Sequence, residues 1–99
     1  MNRYIIWSSL ADDDLSKVLE YLDEKWGMKV VNDCLDIVDH VLSQIILNPK
    51  QFSVINKKSK IRKCVLTKHN SLYYRIEKES IVILRIYDTR QDPHKLKFE

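Results

Sequence analysis

Glycine is almost absent from this chain of 99 residues: Gly27 is the only one, and there are two prolines. So little glycine excludes a glycine-rich loop around a phosphate and argues against folds that need many tight turns. No apolar run approaches the roughly 20 residues that a membrane-spanning helix needs. The first residues also lack the long apolar stretch of a secretory signal. These absences predict a cytoplasmic protein without a membrane segment.

Cysteine and histidine are scarce too, with two and three copies. Cys34 and Cys64 lie in apolar patterns and form no CxxC motif, so the sequence predicts two buried thiols rather than a disulfide. His40, His69 and His94 are scattered, which gives little support to a metal site. Each histidine is interpreted first as a surface or hydrogen-bonded residue, with catalysis as the alternative. We therefore expect no metal and no cofactor.

Charge is divided unevenly along the chain. Residues 1–49 carry four Lys/Arg and nine Asp/Glu, a net charge of −5, whereas residues 50–99 carry thirteen and five, a net charge of +8. The split predicts a basic surface on the C-terminal half that meets an anionic partner, with uneven surface decoration as the alternative. The chain is 44% hydrophobic and 31% charged, so we expect residues 1–99 to form a single globular domain.

The first half of the chain is typical of a strand followed by two amphipathic helices. Tyr4–Trp7 is aromatic and β-branched, as strands are. Ser9 and Asp12 have the spacing of a capping box, Gly27 ends the first helix, and Asn48-Pro49 ends the second. Apolar residues recur at helical spacing, and we expect them in the core of a helical hairpin: Leu15, Val18, Leu19, Leu22 and Trp26, then Val31, Cys34, Leu35, Val38, Leu42 and Ile45.

After a polar connection over residues 51–60, the apolar period changes to that of strands. Ile61–Leu66, Leu72–Ile76 and Ile81–Tyr87 are predicted strands, and their short turns make them antiparallel. The fold class is therefore α+β, with the order β-α-α-β-β-β and a helical hairpin packed on a small, mainly antiparallel sheet. The pattern does not tell where the first strand inserts. Lys57, Lys58 and Lys60 indicate a solvated linker, with contact to nucleic acid or to a protein partner as the alternative.

The turn between the last two strands decides which side chains share a face. Because a slip of one residue inverts every side chain, burial favours a turn of odd length. Such a turn puts six apolar residues on one face: Leu72, Tyr74, Ile76, Val82, Leu84 and Ile86. The opposite face is then cationic and aromatic: Tyr73, Arg75, Ile83, Arg85 and Tyr87. That composition suits phosphates and stacked bases. The alternative is a covered face whose arginines pair with Glu77 or Asp88.

Several short phrases occur here in the order known from one group of bacterial proteins. They are Trp7-Ser8 leading to Ala11 and Asp14-Leu15, Tyr21-Leu22 before Trp26-Gly27, Asn48-Pro49 before a basic linker, Ile61-Arg62-Lys63, Tyr73–Ile76 and Ile83–Pro93. Together, over nearly the whole chain, they resemble the RelE/ParE superfamily of toxins. The resemblance implies a toxin of a type II toxin–antitoxin (plasmid stabilisation) system and a cognate antitoxin. Such antitoxins are commonly acidic where they bind the toxin, which the basic half would attract.

Two activities divide that superfamily. RelE-like members cut messenger RNA on the ribosome without a metal. The 2′-hydroxyl attacks the adjacent phosphate, so the site supplies a base, an acid and cations. ParE-like members act on DNA gyrase. Where the nucleases carry an arginine, this chain has Ser71, and no aromatic residue follows Arg90 closely. The resemblance is therefore nearer to the ParE-like branch.

Three hypotheses follow for the function. The first is a toxin that binds gyrase through its last strand and tail. The second is a ribosome-dependent nuclease, with these candidate residues: Lys63 or His69 as base, Arg75, Arg85 and Arg90 as phosphate clamps, and His94 as acid. The third is a non-toxic binding module of the same fold. Contacts to a target or antitoxin are expected from Arg62, Lys63, Tyr73, Arg75, Arg85, Tyr87 and Arg90.

Overall fold

Two helices cover one face of a five-stranded sheet in the computed structural model, which describes residues 3–98. The elements, in chain order, are β1 Tyr4–Trp7, α1 Ser9–Trp26, α2 Met28–Leu47, β2 Val54–Asn56, β3 Ile61–Val65, β4 Asn70–Ile76, β5 Ser80–Asp88 and a 3₁₀ helix, Pro93–Lys95. The predicted α+β class and helical hairpin are confirmed. The short strand β2 lies inside the stretch predicted as a polar connection, so that prediction missed one strand.

A single residue, Gly27, joins the two helices. Its φ of +86° lies in the left-handed region that favours glycine. The Gly27 N–H donates to the carbonyls of Leu22 and Asp23, and the Gly27 carbonyl accepts from the Val31 N–H. The predicted end of the first helix is therefore confirmed, and the hairpin turns within one residue.

The first helix begins one residue earlier than the spacing predicted. Ser8 is its N-cap: the hydroxyl accepts from the Ala11 N–H at 3.1 Å and donates to the Leu84 carbonyl at 2.9 Å. The capping box predicted at Ser9 and Asp12 is therefore wrong. Ser8 takes the role because its hydroxyl ties the start of the helix to β5, a long-range contact that spacing cannot reveal.

The sheet has the order β1-β5-β4-β3-β2, with β1 parallel to β5 and the other pairs antiparallel. This order places the first strand at an edge, beside the last strand. β1 pairs with β5 only as far as Trp7 opposite Ile83. Beyond that point, the outer edge of β5 lies next to the start of α1.

The turn between β4 and β5 is even in length, so the prediction of an odd turn is wrong. Ile76 pairs with Ile81 and Tyr74 with Ile83, and then the register shifts so that Leu72 pairs with Ile86. Leu84 is the extra residue of a β-bulge, which inverts the faces within β5. Both halves of β5 can then bury apolar side chains, which a regular strand of this sequence could not do.

Two apolar clusters result, one on each face of the sheet. The cluster beneath the helices contains Ala11, Ile45, Cys64, Leu72, Tyr74, Ile81 and Ile83. The cluster on the opposite face contains Ile61, Tyr73, Leu84 and Tyr87, with Val82, Leu96 and Phe98 packed against it. The predicted assignment of Val82 and Leu84 to the helix side, and of Ile83 to the other side, is therefore wrong.

Trp26 departs from the helical stripe to which it was assigned. It is 67% exposed, although the four apolar residues before it in the stripe are half-buried. Trp26 is the last residue of α1 and lies at the turn of the hairpin, where periodicity does not tell whether other elements still cover the helix. Neither helix within residues 3–98 is long and apolar enough to cross a membrane.

Candidate functional site: the arginines and the covered sheet face

The sequence left two alternatives for the second sheet face, an open cationic surface or a covered face, and the end of the chain covers it. The Phe98 ring packs edge-on against Tyr73, with ring centroids 5.6 Å apart. The Tyr87 hydroxyl donates to the Asp92 carbonyl at 2.5 Å, and the Arg85 guanidinium donates to the Lys97 carbonyl at 2.6 Å. Burial raises the pKa of Tyr73, and the nearby Tyr87 adds to this rise. Tyr73 and Tyr87, which were predicted to contact a target or antitoxin, therefore make contacts within the protein itself.

Arg85 is held by Asp14 of α1. The two Asp14 oxygens accept from the Arg85 Nε at 2.7 Å and from a terminal guanidinium nitrogen at 2.9 Å. The side chains are only 16% and 13% exposed. The hydrogen bond that Arg85 donates to Asp14 raises the pKa of Arg85, so the guanidinium stays charged. Of the acids predicted as alternative partners for the arginines of this face, Glu77 does bind Arg75, whereas Asp88 binds Arg90 and neither binds Arg85.

Asp14 also satisfies the backbone edge that β1 leaves unpaired. Its carboxylate accepts from the Ile86 N–H at 3.0 Å, and the Ser8 hydroxyl donates to the carbonyl of Leu84, two residues earlier in β5. A buried backbone group without a partner is costly, so these two side chains take the place of a longer β1. Neither was singled out for this role in the sequence, because each contact spans more than 70 residues of chain.

Arg75 and Arg90 form matching pairs with a carboxylate two residues away. Arg75 Nε lies 2.8 Å from a Glu77 oxygen. Arg90 binds both oxygens of Asp88, at 3.0 and 2.7 Å. Hydrogen bonds from Arg90 hold the pKa of Asp88 at about 2, well below 3.8. The same pair raises the pKa of Arg90. Each arginine–carboxylate pair thus carries little net charge.

Arg62 turns toward the helix side of the sheet and is engaged by backbone. Its guanidinium donates to the carbonyls of Lys50 and Phe52, at 3.1 and 2.6 Å. These bonds tie the connection after α2 onto β3. The Tyr74 hydroxyl reinforces the same connection by donating to the Pro49 carbonyl at 2.5 Å. Burial raises the pKa of Tyr74 to about 12.

The residues proposed as base and acid lie on separate elements. Lys63 is half-buried in β3, opposite Tyr73. His69 lies in the turn before β4, where its carbonyl accepts from the Thr89 N–H, which places it beside the end of β5. His94 is in the 3₁₀ helix, 93% exposed, with Nδ1 3.0 Å from an Asp92 oxygen. The register thus brings His69 near the Asp88–Arg90 pair.

Ser71, the residue that stands where the nucleases carry an arginine, is buried. It is 1% exposed and lies opposite Tyr87 in the register of β4 and β5. An uncharged buried hydroxyl at this position contributes no cation to the surface. Among residues 3–98, no group of three or more His, Cys, Asp or Glu side chains is arranged to hold a metal ion.

Comparison with protein families supports what the topology indicates. The family model described as the ParE toxin of the type II toxin–antitoxin system parDE matches residues 5–93. The chain belongs to the ParE toxin family. A toxin of a type II system implies a cognate antitoxin as its partner. Among curated proteins, none matches the sequence of this chain.

Solved structures with the same fold come from related toxins. The chromosomal ParDE toxin–antitoxin system from P. aeruginosa superimposes with a TM-score of 0.72 at 17% identity, covering 87% of this chain and 95% of the other. The YoeB dimer from Staphylococcus aureus gives 0.63 at 13% identity, with coverage of 88% and 97%. A YoeB/ParE toxin from Agrobacterium tumefaciens gives 0.61 at 9% identity, with coverage of 86% and 96%. At these identities the likeness concerns the fold.

Proposed function

We propose that this ParE-family toxin acts in the cytoplasm by binding a protein target, DNA gyrase, and does not cleave RNA. One observation carries the proposal. The three arginines that would clamp a phosphate, Arg75, Arg85 and Arg90, are each paired with a carboxylate at 2.7 to 2.8 Å. The ParE-like branch, to which the resemblance assigns action on gyrase, is the family matched here.

The pairing weakens the case for phosphoryl chemistry. A phosphorane carries added negative charge, and an enzyme stabilises it with cations already aimed at it. The Asp14–Arg85 pair is mostly buried, so a phosphate could bind Arg85 only after a costly contact is broken, whereas the exposed pairs of Arg75 and Arg90 reduce the net positive charge that a phosphate would meet. The buried Ser71 adds no cation. These features support a surface for protein contact more than a nuclease centre.

The contact with the target is proposed to lie on the segment after β5. Thr89 to Lys95 are all exposed, whereas Arg85 and Tyr87 face inward. Arg90 is the candidate arginine with the most exposed side chain in an ion pair, at 65%. Arginine is among the residue types that contribute most to protein interfaces. Arg85 and Tyr87 would then support this segment rather than touch the target.

A supercoiling assay with purified gyrase tests the proposal, and the chain offers a matched control. We expect the toxin to inhibit supercoiling of relaxed plasmid. Arg90→Ala should raise the half-inhibitory concentration roughly tenfold, the effect expected if Arg90 is one of the few residues that dominate the interface. Arg75→Ala removes an arginine that is also paired with an acid two residues away but lies in β4, outside the segment after β5, and it should change little. No inhibition at high molar excess of toxin would contradict the proposal.

The two other hypotheses predict different results. If the chain were a ribosome-dependent nuclease, primer extension on ribosome-bound message would show cuts at codon positions. If it were a non-toxic module, expression without an antitoxin would leave growth unchanged. We expect intact message together with growth arrest, and neutralisation of that arrest by the cognate antitoxin.

A further inference from the structure

The excess positive charge of the C-terminal half lies in one stretch of the chain. Residues 50–76 carry eight Lys/Arg and no Asp/Glu, a net charge of +8, whereas residues 77–99 carry five of each, a net charge of zero. In the fold, residues 50–76 include β2, β3 and β4, the half of the sheet that ends at the edge strand β2. The positive charge is therefore concentrated on one side of the sheet.

Five of these cations lie on or beside the turn between β2 and β3, and we call them the basic edge: Lys50, Lys57, Lys58, Lys60 and Arg62. The four lysines are exposed. The Arg62 guanidinium binds two backbone carbonyls, which do not neutralise its charge. In the part of the chain that the structure describes, none of the five forms an ion pair with a carboxylate. The basic edge thus keeps its full charge.

The turn that carries three of these lysines has a defined backbone. The Asn56 side chain accepts from the N–H groups of Lys58 and Ser59, at 3.0 and 3.1 Å. Lys60 has a φ of +59°, in the left-handed region that such turns use. A turn of four residues brings its first and last Cα atoms within about 7 Å. Duplex DNA presents about four phosphate charges over that length of its axis, so adjacent lysines here suit adjacent phosphates.

The composition of the basic edge favours phosphates over bases. Lysine binds a phosphate as a point charge, and the exposed apolar side chains of β2, Val54 and Ile55, are aliphatic. Phe52, the one aromatic residue within 50–60, packs edge-on against Tyr74 and offers no surface on which a base could stack. Duplex DNA has a charge about every 1.7 Å, roughly twice the density of a fully acidic extended peptide. A duplex is therefore the polyanion that this surface fits best.

We propose that the basic edge binds the phosphate backbone of duplex DNA without reading its sequence. The use of this contact rests on the proposed function, because gyrase holds duplex DNA while it changes supercoiling. β2 lies three strands from β5, or roughly 14 Å at about 4.8 Å per strand. The basic edge and the segment after β5 share no residues, so one toxin molecule can contact the enzyme and its DNA together.

Fluorescence anisotropy of a labelled DNA duplex, titrated with the purified toxin, measures this contact without gyrase. If the four lysines each neutralise one phosphate, raising the salt from about 50 to 200 mM should weaken binding roughly 150-fold. Lys57→Gln combined with Lys58→Gln and Lys60→Gln should weaken binding at least tenfold at about 50 mM salt. The same variant should reduce the salt effect to roughly fourfold, because about one phosphate contact remains.

The helical hairpin supplies a control with the same charge. Lys17→Gln combined with Lys25→Gln and Lys29→Gln also removes three lysines, so both variants lower the net charge of the chain from +3 to zero. These three lysines lie on α1 and α2, and their loss should change duplex binding by less than about threefold, since charges distant from the contact are screened. Melting curves check that both variants fold. Equal loss of binding in both variants would show that only net charge attracts DNA and would overturn the proposal.

Two competitors test the identity of the partner. A glutamate-rich peptide of the same total charge should displace the duplex only at several-fold higher concentration, because its charges are farther apart. Single-stranded RNA should also bind more weakly, since single strands release fewer counterions. If the peptide binds as tightly as the duplex, the basic edge serves an acidic protein segment. If the RNA does so, it serves a single strand. Either result would overturn the proposal.

Gyrase assays separate the failure of this inference from that of the proposed function. The variant of the β2–β3 turn retains Arg90 and should inhibit supercoiling, but at a several-fold higher concentration than the parent. Inhibition at the parent's concentration would refute the use of the DNA contact at gyrase. Duplex binding by a toxin that does not inhibit gyrase would refute only the target. Inhibition by a toxin that binds no duplex would refute only the basic edge as a DNA site.

Discussion

Replacing Asp14 with alanine should destabilise this protein more than any other change to a single surface acid. The substitution removes an acceptor for three donors, two on Arg85 and the Ile86 N–H, at 2.7 to 3.0 Å. It leaves a mostly buried charge whose remaining partner is the Lys97 carbonyl, and it leaves the Ile86 N–H without the acceptor it has in the parent. Breaking a fully buried ion pair costs about 3–5 kcal/mol and an exposed one about 0–1 kcal/mol. With side chains 16% and 13% exposed, we expect a loss between these two ranges and closer to that of the buried pair.

We therefore predict that Asp14→Ala lowers the free energy of unfolding by about 2–4 kcal/mol. That is a large share of the roughly 5–15 kcal/mol that stabilises a domain. Urea unfolding followed by far-UV circular dichroism measures it. Arg85→Met and the double variant complete a cycle, in which we expect a coupling of about 1.5–3 kcal/mol because the two residues share one network.

Asp13→Ala is the matched control for this experiment. Asp13 is the neighbouring acid on α1 and is exposed, so its loss should change stability by less than about 0.5 kcal/mol. If Asp14→Ala and Asp13→Ala unfold at the same urea concentration, the Asp14–Arg85 contact does not stabilise the fold. Strict additivity in the cycle would lead to the same conclusion.

Three further predictions follow from the burial and the ion pairs. Trp26→Ala should change the free energy of unfolding by less than about 0.5 kcal/mol in the same urea experiment, because Trp26 is exposed. Trp7→Ala removes a ring packed against the core and should cost about 2–4 kcal/mol. Equal losses would be inconsistent with the exposed position of Trp26. The Asp88 carboxyl should titrate with a pKa of about 2 by carbon NMR and return toward 3.8 in Arg90→Gln. Because the pKa of Asp88 is depressed on folding, the stabilising effect of this carboxylate is present above about pH 4 and disappears as the pH falls toward 2. An Asp88 titration midpoint near pH 4 in the parent protein would refute the pair. Tyr74 should ionise at about pH 12 in ultraviolet titration. Since its pKa is raised on folding, its contribution to the free energy of unfolding is present below about pH 10 and is lost as the pH rises toward 12. A Tyr74→Phe variant whose titration matches that of the parent would contradict this assignment.

Local patterns were enough to predict the hairpin and the last three strands. Gly27 and Asn48-Pro49 mark the helix ends because a left-handed residue and a proline stop a helix for local steric reasons. The β-branched and aromatic run from Ile81 to Tyr87 indicates a strand for equally local reasons. The strand β2 was missed because it is three residues long and exposed throughout, so it has no apolar alternation to detect.

Features that depend on long-range contacts were not predictable in the same way. The parallel pairing of β1 with β5 and the contact between Asp14 and Arg85 join residues that are far apart in the chain. The bulge at Leu84 depends on which apolar residues both sheet faces can bury. The cover over the second face comes from Leu96 and Phe98, two isolated apolar residues that carry no pattern.

The uneven charge of the chain has a different meaning in the folded protein than in the sequence. In the basic half, Arg75, Arg85 and Arg90 are paired with acids, so the positive charge that remains comes mainly from lysines. One of those acids, Asp14, comes from the acidic half. The remaining acids of the helical hairpin, Asp12 and Asp39 among them, lie on its exposed surface. Both halves therefore have a surface to offer a partner, of opposite sign.

The most direct test of the account follows plasmid topology and messenger RNA in the same culture after the toxin is induced without an antitoxin. The account predicts that plasmid loses negative supercoils as growth stops, while primer extension finds the message intact. Codon-specific cuts in the message with unchanged supercoiling would contradict it. That result would assign the arginine pairs to a nuclease site that opens when RNA binds.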